Sequence, residues 1–139
     1  LQFDAAPPPL PRHARTGCAS TLAFELSDNG QRLIVNCGGA ALAGGMVPHR
    51  IEQGLRATAA HSTLVLDDVN STAVHIKGQL GSGVDEVEVD RRQLKTNQGA
   101  ATRIEATHDG YGARYGLHHR RILVLRDDGS ELQIGRAHV

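Results

Sequence analysis

The chain has 139 residues, a length that fits one domain and can bury roughly two thirds of the surface its unfolded form exposes. Fifteen basic and fifteen acidic residues cancel, which excludes a chain-wide positive field of the kind that holds nucleic acid through counterion release. No apolar run approaches the roughly 20 residues of a membrane-spanning helix, and two cysteines, Cys18 and Cys37, are too few for a disulfide-stapled scaffold.

From Leu1 to Arg15 the sequence is dominated by APPPLPRHAR, whose prolines favour extended backbone and forbid a helix interior; residues 1–15 are expected to be an irregular or linker entry. The next run, TLAFELSDNGQRLIVNCGG, predicts a β-hairpin. Leu22, Phe24 and Leu26 alternate, Asn29-Gly30 supplies a tight turn, and Leu33, Val35 and Cys37 alternate again. Residues 38–54 are rich in Gly and Ala and carry Pro48, which predicts a loop with one short helical turn near Arg50. Strand character returns at Thr63 to Leu66, at Ala73 to Lys77 and at Glu86 to Asp90, the last with one wet face.

In the final third, Ile104 alternates with polar neighbours, Asp109-Gly110 and Asp128-Gly129 mark turns, and Ile122 to Leu125 are aliphatic. No helix of three turns is predicted. Many short strands separated by Gly, Asn and Asp turns point to an all-β fold, an antiparallel β-sandwich of two sheets over residues 16–133. The terminal IGRAHV resembles a translated sequencing adapter, so residues 134–139 are expected to be a non-native tail on a truncated reading frame.

Several side chains invite chemistry. His118 and His119 are adjacent, so on a strand they face opposite ways and one at most serves a given site; Arg120 and Arg121 split likewise. A His and an Arg on one face suit a sugar carboxylate or sulfate, because the guanidinium fork matches such groups, while a solvated strand face is the ordinary alternative. Asp67-Asp68 offers hard oxygens for Ca²⁺ but only two, and the turn reading is favoured. Nothing resembles a nucleophile elbow or a Ser-His-acid order. Four aromatic residues, Phe3, Phe24, Tyr111 and Tyr115, with no Trp, are few for a free-standing sugar-binding module built on stacking platforms. Cys18, Asn36, Cys37 and His61 lie on segments that a sandwich can bring together; their spacing is not that of a zinc finger or ribbon, and buried cysteine commonly behaves as a small hydrophobe.

The strings TLAFELSDNGQRLIVNCG, LRATAAHSTLVLDDVNS and ATHDGYGARYGLHHRRILVL, in that order and spanning essentially Phe3 to Gln133, resemble the C-terminal β-domain of heparinase II/III-like polysaccharide lyases. The resemblance implies a partner, an α/α toroid preceding this domain in the same chain, and an acidic polysaccharide held in the cleft between the two. It implies cleavage by β-elimination: a base takes the proton beside the uronic carboxylate, the carboxylate charge is neutralised, and an acid protonates the departing oxygen. It also implies a zinc site in some members, formed by the second of two histidines before the Leu-x-Phe-Glu-Leu strand, an Asp near the end of the second hairpin strand and the His of the Ala-Ala-His block. In this chain Thr16 and Cys18 stand for the two histidines and Asn36 for the Asp, and His61 alone keeps the family residue.

The expected metal set is therefore Cys18, Asn36 and His61, with zinc weakened or absent because Asn is a neutral partner. The expected substrate-binding residues are His61, Arg56, His119 and Arg120, with no confident catalytic residue and with activity residing in the intact parent. The alternatives are a non-catalytic carbohydrate-binding or structural scaffold and an unrelated β-sandwich adhesion module.

Overall fold

Strand-forming runs before and after a long irregular middle pair into two separate antiparallel sheets in the computed structural model, which describes residues 1–40, 45–76 and 78–138. The smaller sheet has the order β1 (Gln2–Phe3), β2 (Phe24–Asp28), β3 (Gln31–Ile34). The larger is a meander of β4 (Val87–Thr96), β5 (Gly99–His108), β6 (His119–Arg126) and β7 (Leu132–His138). Helix is confined to short pieces, the longest being α1 (His49–Arg56), with α2 (Gly112–Tyr115) between β5 and β6. The two-sheet all-β architecture is the one the strand and turn pattern predicts.

The β2–β3 hairpin forms where expected, and Asn29 and Gly30 both take positive φ, 46° and 79°, as a type I′ turn requires. Its alternation is shifted. Leu33 and Val35 are more than half exposed and Cys37 is exposed, while Ile34 and Asn36 turn inward. The cause is a β-bulge between Leu26 and Ser27, which inserts a residue and breaks the phase carried over from β2.

Other segments are placed as follows. Within residues 1–15, Gln2 and Phe3 pair with Glu25 and Phe24, and Ala14 is fully buried, so this segment is built into the fold. Thr63 to Leu66 is extended but makes only an isolated bridge, Leu66 to Val69, across a turn in which Asp67 and Asp68 have φ of 52° and 55°. That is the turn role preferred for the two acids. The Ala73 to Lys77 run likewise contributes one bridge, Val74 to Leu80, and Lys77 lies outside the described residues. β7 pairs with β6 in continuous register from Leu132 to His138, so the segment expected as a tail lies on the sheet edge.

The core lies where the His108 and His119 ends of β5 and β6 meet the start of β2 and the central loops. Leu22, Phe24, Ala106, Tyr111 and Leu123 are buried there beside Thr21, Thr58, Ser71, Thr72, His108, His119 and Arg121. So polar an interior is stable only when its groups are bonded to one another. Thr58 Oγ1 accepts the Ser71 N–H at 2.9 Å, Thr72 Oγ1 accepts the Val84 N–H at 3.1 Å, and the Tyr111 hydroxyl donates to the Leu64 carbonyl at 2.8 Å.

Two arginines fasten the irregular segments. Arg121 Nη1 donates to the carbonyls of Leu22 at 2.5 Å and Ser62 at 2.6 Å, with its guanidinium 5.3 Å from the Phe24 ring centre. Arg56 donates through Nε to Gly17 O at 2.7 Å and through Nη2 to Ala14 O and Gly78 O at 3.1 and 2.8 Å. A bond from a charged donor to a carbonyl contributes about 1.5–3 kcal/mol. Arg121→Ala is accordingly expected to lower unfolding stability by about 3–5 kcal/mol in a denaturant titration, with Arg121→Lys recovering part, because one ammonium cannot reproduce the planar fork.

The buried histidines define a proton arrangement. The Gly110 N–H donates to His108 Nδ1 at 3.0 Å, so that nitrogen is unprotonated and His108 carries its proton on Nε2, 3.2 Å from His119 Nδ1, to which it donates. Protonating His108 at Nδ1 would break the Gly110 bond. Burial pushes its pKa down to about 4 from the ordinary 6.5; Asp109 opposes this, and His118 and Arg121 add to it. Above pH 6.5 both folded and unfolded forms are neutral at this ring. Between about 6.5 and 4 only the unfolded form takes up the proton, so stability falls as pH drops through that window. The loss is on the order of 3 kcal/mol by the time pH 4 is reached. Unfolding midpoints measured from pH 7 to 4 are expected to fall more steeply for the wild type than for His108→Asn, which keeps an acceptor for Gly110 but does not titrate.

Candidate functional site

The three residues expected to form a metal set, Cys18, Asn36 and His61, line one cavity of about 380 Å³ where β1, the start of β2 and the residues after β3 meet, together with Asp4, Ser20 and Glu25. Local bonding explains the convergence. Ser62 Oγ accepts the Phe24 N–H at 2.9 Å and donates to the Phe24 carbonyl, so the segment after α1 docks on the first residue of β2 as a neighbouring strand would. Asn36, carried inward after β3, accepts the Ser62 N–H through Oδ1 at 2.7 Å and donates through Nδ2 to Phe24 O and Glu25 Oε1. His61, next to Ser62, is thereby held at the cavity.

The His61 ring is oriented. The Ala57 carbonyl lies 2.8 Å from Nδ1 and can only accept, so Nδ1 carries the hydrogen and Nε2 is left as the nitrogen able to accept a proton or a ligand donor. Glu25 Oε1 accepts from both the backbone and the side-chain nitrogen of Asn36, and Asp4 Oδ2 accepts the Ser20 hydroxyl at 2.8 Å. Each carboxylate keeps its other oxygen out of these bonds.

The arrangement does not fit zinc. The Asn36 oxygen already accepts the Ser62 N–H and its amide nitrogen is held by Phe24 and Glu25, so the side chain serves as a structural link, and a neutral amide oxygen is a weak partner for zinc. Burial raises the Cys18 thiol above its ordinary range, with Arg56 opposing and Asp4 reinforcing the shift, which disfavours the thiolate that zinc requires. Cys18 and Cys37 are both free thiols. Among the described residues, no group of three or more His, Cys, Asp and Glu side chains is placed to hold a metal ion.

Three of the four expected substrate-binding residues are placed elsewhere. Arg56 is only 4% exposed and is committed to three carbonyls, although it also borders a smaller cavity of about 170 Å³ with Arg15 and Thr16. His119 is fully buried and bonded to His108. Arg120 points to the opposite face of the larger sheet, where its Nε lies 3.3 Å from Glu105 in a row of alternating charges with Arg103, Asp90 and Arg92. The period-2 geometry of a strand separates His119 from Arg120 and pairs His119 with Arg121 on the buried face. His118 is exposed, as alternation predicts. Sequence reading missed Ser62 and Arg121, and only the shared face of His119 and Arg121 offered a signal for the latter.

Comparison with curated proteins and with solved structures gives no match in either case. A family model described as Heparinase II/III-like, C-terminal matches residues 1–135, which takes in both sheets, the cavity with His61 and all but the last strand residues of β7. With the match running through nearly its whole length, the chain belongs to the heparinase II/III-like C-terminal domain family.

Proposed function

We propose that this chain is the β-domain of a polysaccharide lyase and that the cavity around His61 forms part of the wall of a cleft for an acidic polysaccharide. The observation that carries the reading is the meeting of Cys18, Asn36 and His61, from three separate segments, in one cavity of a chain that matches the family over residues 1–135. His61 is the residue for contact with glycan, because its Nε2 is free of the Ala57 bond and its position is fixed by Ser62 and Asn36. Arg15, bordering the neighbouring small cavity together with Glu52 and the buried Arg56, is a source of positive charge beside it for a uronate, which a guanidinium recognises well.

The chemistry of β-elimination sets what this domain does by itself. The reaction needs a base at the carbon-bound proton, neutralisation of the carboxylate and an acid at the leaving oxygen, held together in one geometry. The cavity offers one imidazole and two carboxylates already engaged by neighbours, which does not make up that set. A second reading, a binding or structural scaffold that performs no chemistry, is favoured by one feature, the Asn36 amide locked between Ser62, Phe24 and Glu25 where a ligand carboxylate would stand.

Titrating the 139-residue chain with an acidic oligosaccharide is expected to shift the His61 ring resonances, and His61→Ala is expected to weaken binding about tenfold, a loss of about 1.4 kcal/mol. Absence of any His61 perturbation at saturating glycan would overturn the cleft assignment. The same mixtures are expected to gain no ultraviolet absorbance from unsaturated uronate, and its appearance would show a complete catalytic set within this domain.

A further inference from the structure

The charged and polar groups around the His61 cavity share a feature that bears on which sugar unit it takes. Glu25 and Asp4 contribute two carboxylates, neither in an ion pair among the described residues, and Arg and Lys are absent from the described lining. Four of the donors that line the cavity are already committed, the Ser20 hydroxyl to Asp4, the Asn36 amide to Phe24 and Glu25, the His61 Nδ1–H to Ala57 and the Cys18 thiol to the Thr16 carbonyl, which leaves the amide of the exposed Gln2. Acceptor capacity is open at Asp4 Oδ1, Glu25 Oε2 and His61 Nε2, above an apolar base of Ala23 and Phe24. A group bearing negative charge would face two like charges there with no cation of the described lining to offset them.

We propose that Asp4 and Glu25 act as specificity-determining residues, admitting an uncharged, hydroxyl-rich sugar unit to this cavity and excluding one that carries sulfate or carboxylate. This rests on the cleft reading given above. The uronate of the same glycan then lies outside the cavity, and the unit next to it, presenting hydroxyl donors, enters. The neighbouring small cavity across the Thr16–Cys18 segment is bordered by Arg15 and Arg56 as well as Glu52, whereas the described lining of the His61 cavity holds carboxylates without a guanidinium, and this difference agrees with a division of the chain of sugars between unlike sites. Asp4 lies exposed at the rim and Glu25 lies deeper, so the filter acts both at entry and at the seat.

The test compares two probes on the intact 139-residue chain at pH 8. One is an unsulfated uronate–N-acetylhexosamine tetrasaccharide, and the other is the same tetrasaccharide with one sulfate on each hexosamine. The unsulfated probe is expected to bind at least about tenfold more tightly at low salt, with the His61 resonances shifted by it, and the preference is expected to shrink as salt screens the carboxylates. Asp4→Asn with Glu25→Gln, which keeps an oxygen acceptor for Ser20 and for Asn36, is expected to bring the two affinities within about twofold. Equal or tighter binding of the sulfated probe by the wild-type chain, with His61 shifted by both, overturns the filter and leaves the cleft reading standing. Binding of neither probe at His61 overturns the cleft reading and the filter with it. Should the double variant fold poorly, the salt dependence of the wild-type preference decides alone: a preference that does not change with salt refutes the electrostatic origin.

Discussion

The bond from Arg121 to the carbonyls of Leu22 and Ser62 is the constraint on which the rest of this domain depends. Arg121 sits on β6, in the larger sheet; Leu22 leads into β2, in the smaller; Ser62 belongs to the loop that carries His61. One guanidinium therefore ties the larger sheet to two parts that are themselves joined through Ser62, Phe24 and Asn36. Its cost is a charge brought inside the protein, and the carbonyl oxygens together with the face of Phe24 offset it. Leu22 holds its place with φ of 63°, an unfavourable value for a branched residue, while its side chain is fully buried and its N–H donates to Asp4 O at 2.8 Å. Packing and hydrogen bonding on both sides of the peptide outweigh the local backbone preference.

The same logic explains why the interior is so rich in hydroxyls and histidines. The central loops supply little regular ladder, so their backbone groups must be satisfied by side chains instead. Thr58, Thr72 and Asn70 do this within the loops, Tyr111 does it from the connection between β5 and β6, and Arg121 from the larger sheet. The Asn70-Ser71-Thr72 string is thus part of a buried network, with Asn70 Oδ1 accepting the Thr58 N–H at 2.9 Å. Such networks fix a unique arrangement of loops, and loops so fixed are able to hold a binding side chain in one orientation.

Much of the fold was legible because strands and turns are local signals. Asn29-Gly30, Asp128-Gly129 and the aliphatic run at Ile122 to Leu125 announced hairpins and a strand that the structure contains. The shifted face of β3 was not legible, since a bulge at Leu26/Ser27 leaves no mark in composition. Thr63 to Leu66 looked like a strand because it is β-branched and aliphatic, yet its backbone is engaged by Tyr111 rather than by a partner strand. For the site, Cys18, Asn36 and His61, the positions that the block resemblance sets together, line one cavity, a long-range fact that periodicity cannot supply. Arg56 looked equally polar and equally close in sequence, and only tertiary contacts reveal that its donors close a loop rather than meet a ligand.

The meander of β4 to β7 joins neighbours in sequence through short turns, whereas the Arg121 to Leu22 bond closes a span of 99 residues. Closing so long a loop costs chain entropy that local pairing does not, so the larger sheet is the part able to form early and the smaller sheet must dock onto it late. The His61 cavity lies wholly on the late side of that order. Its geometry therefore depends on bonds between distant segments, Phe24 to Ser62 and Asn36 to Ser62, so any loosening of the Ser62 loop passes directly to the side chain beside it.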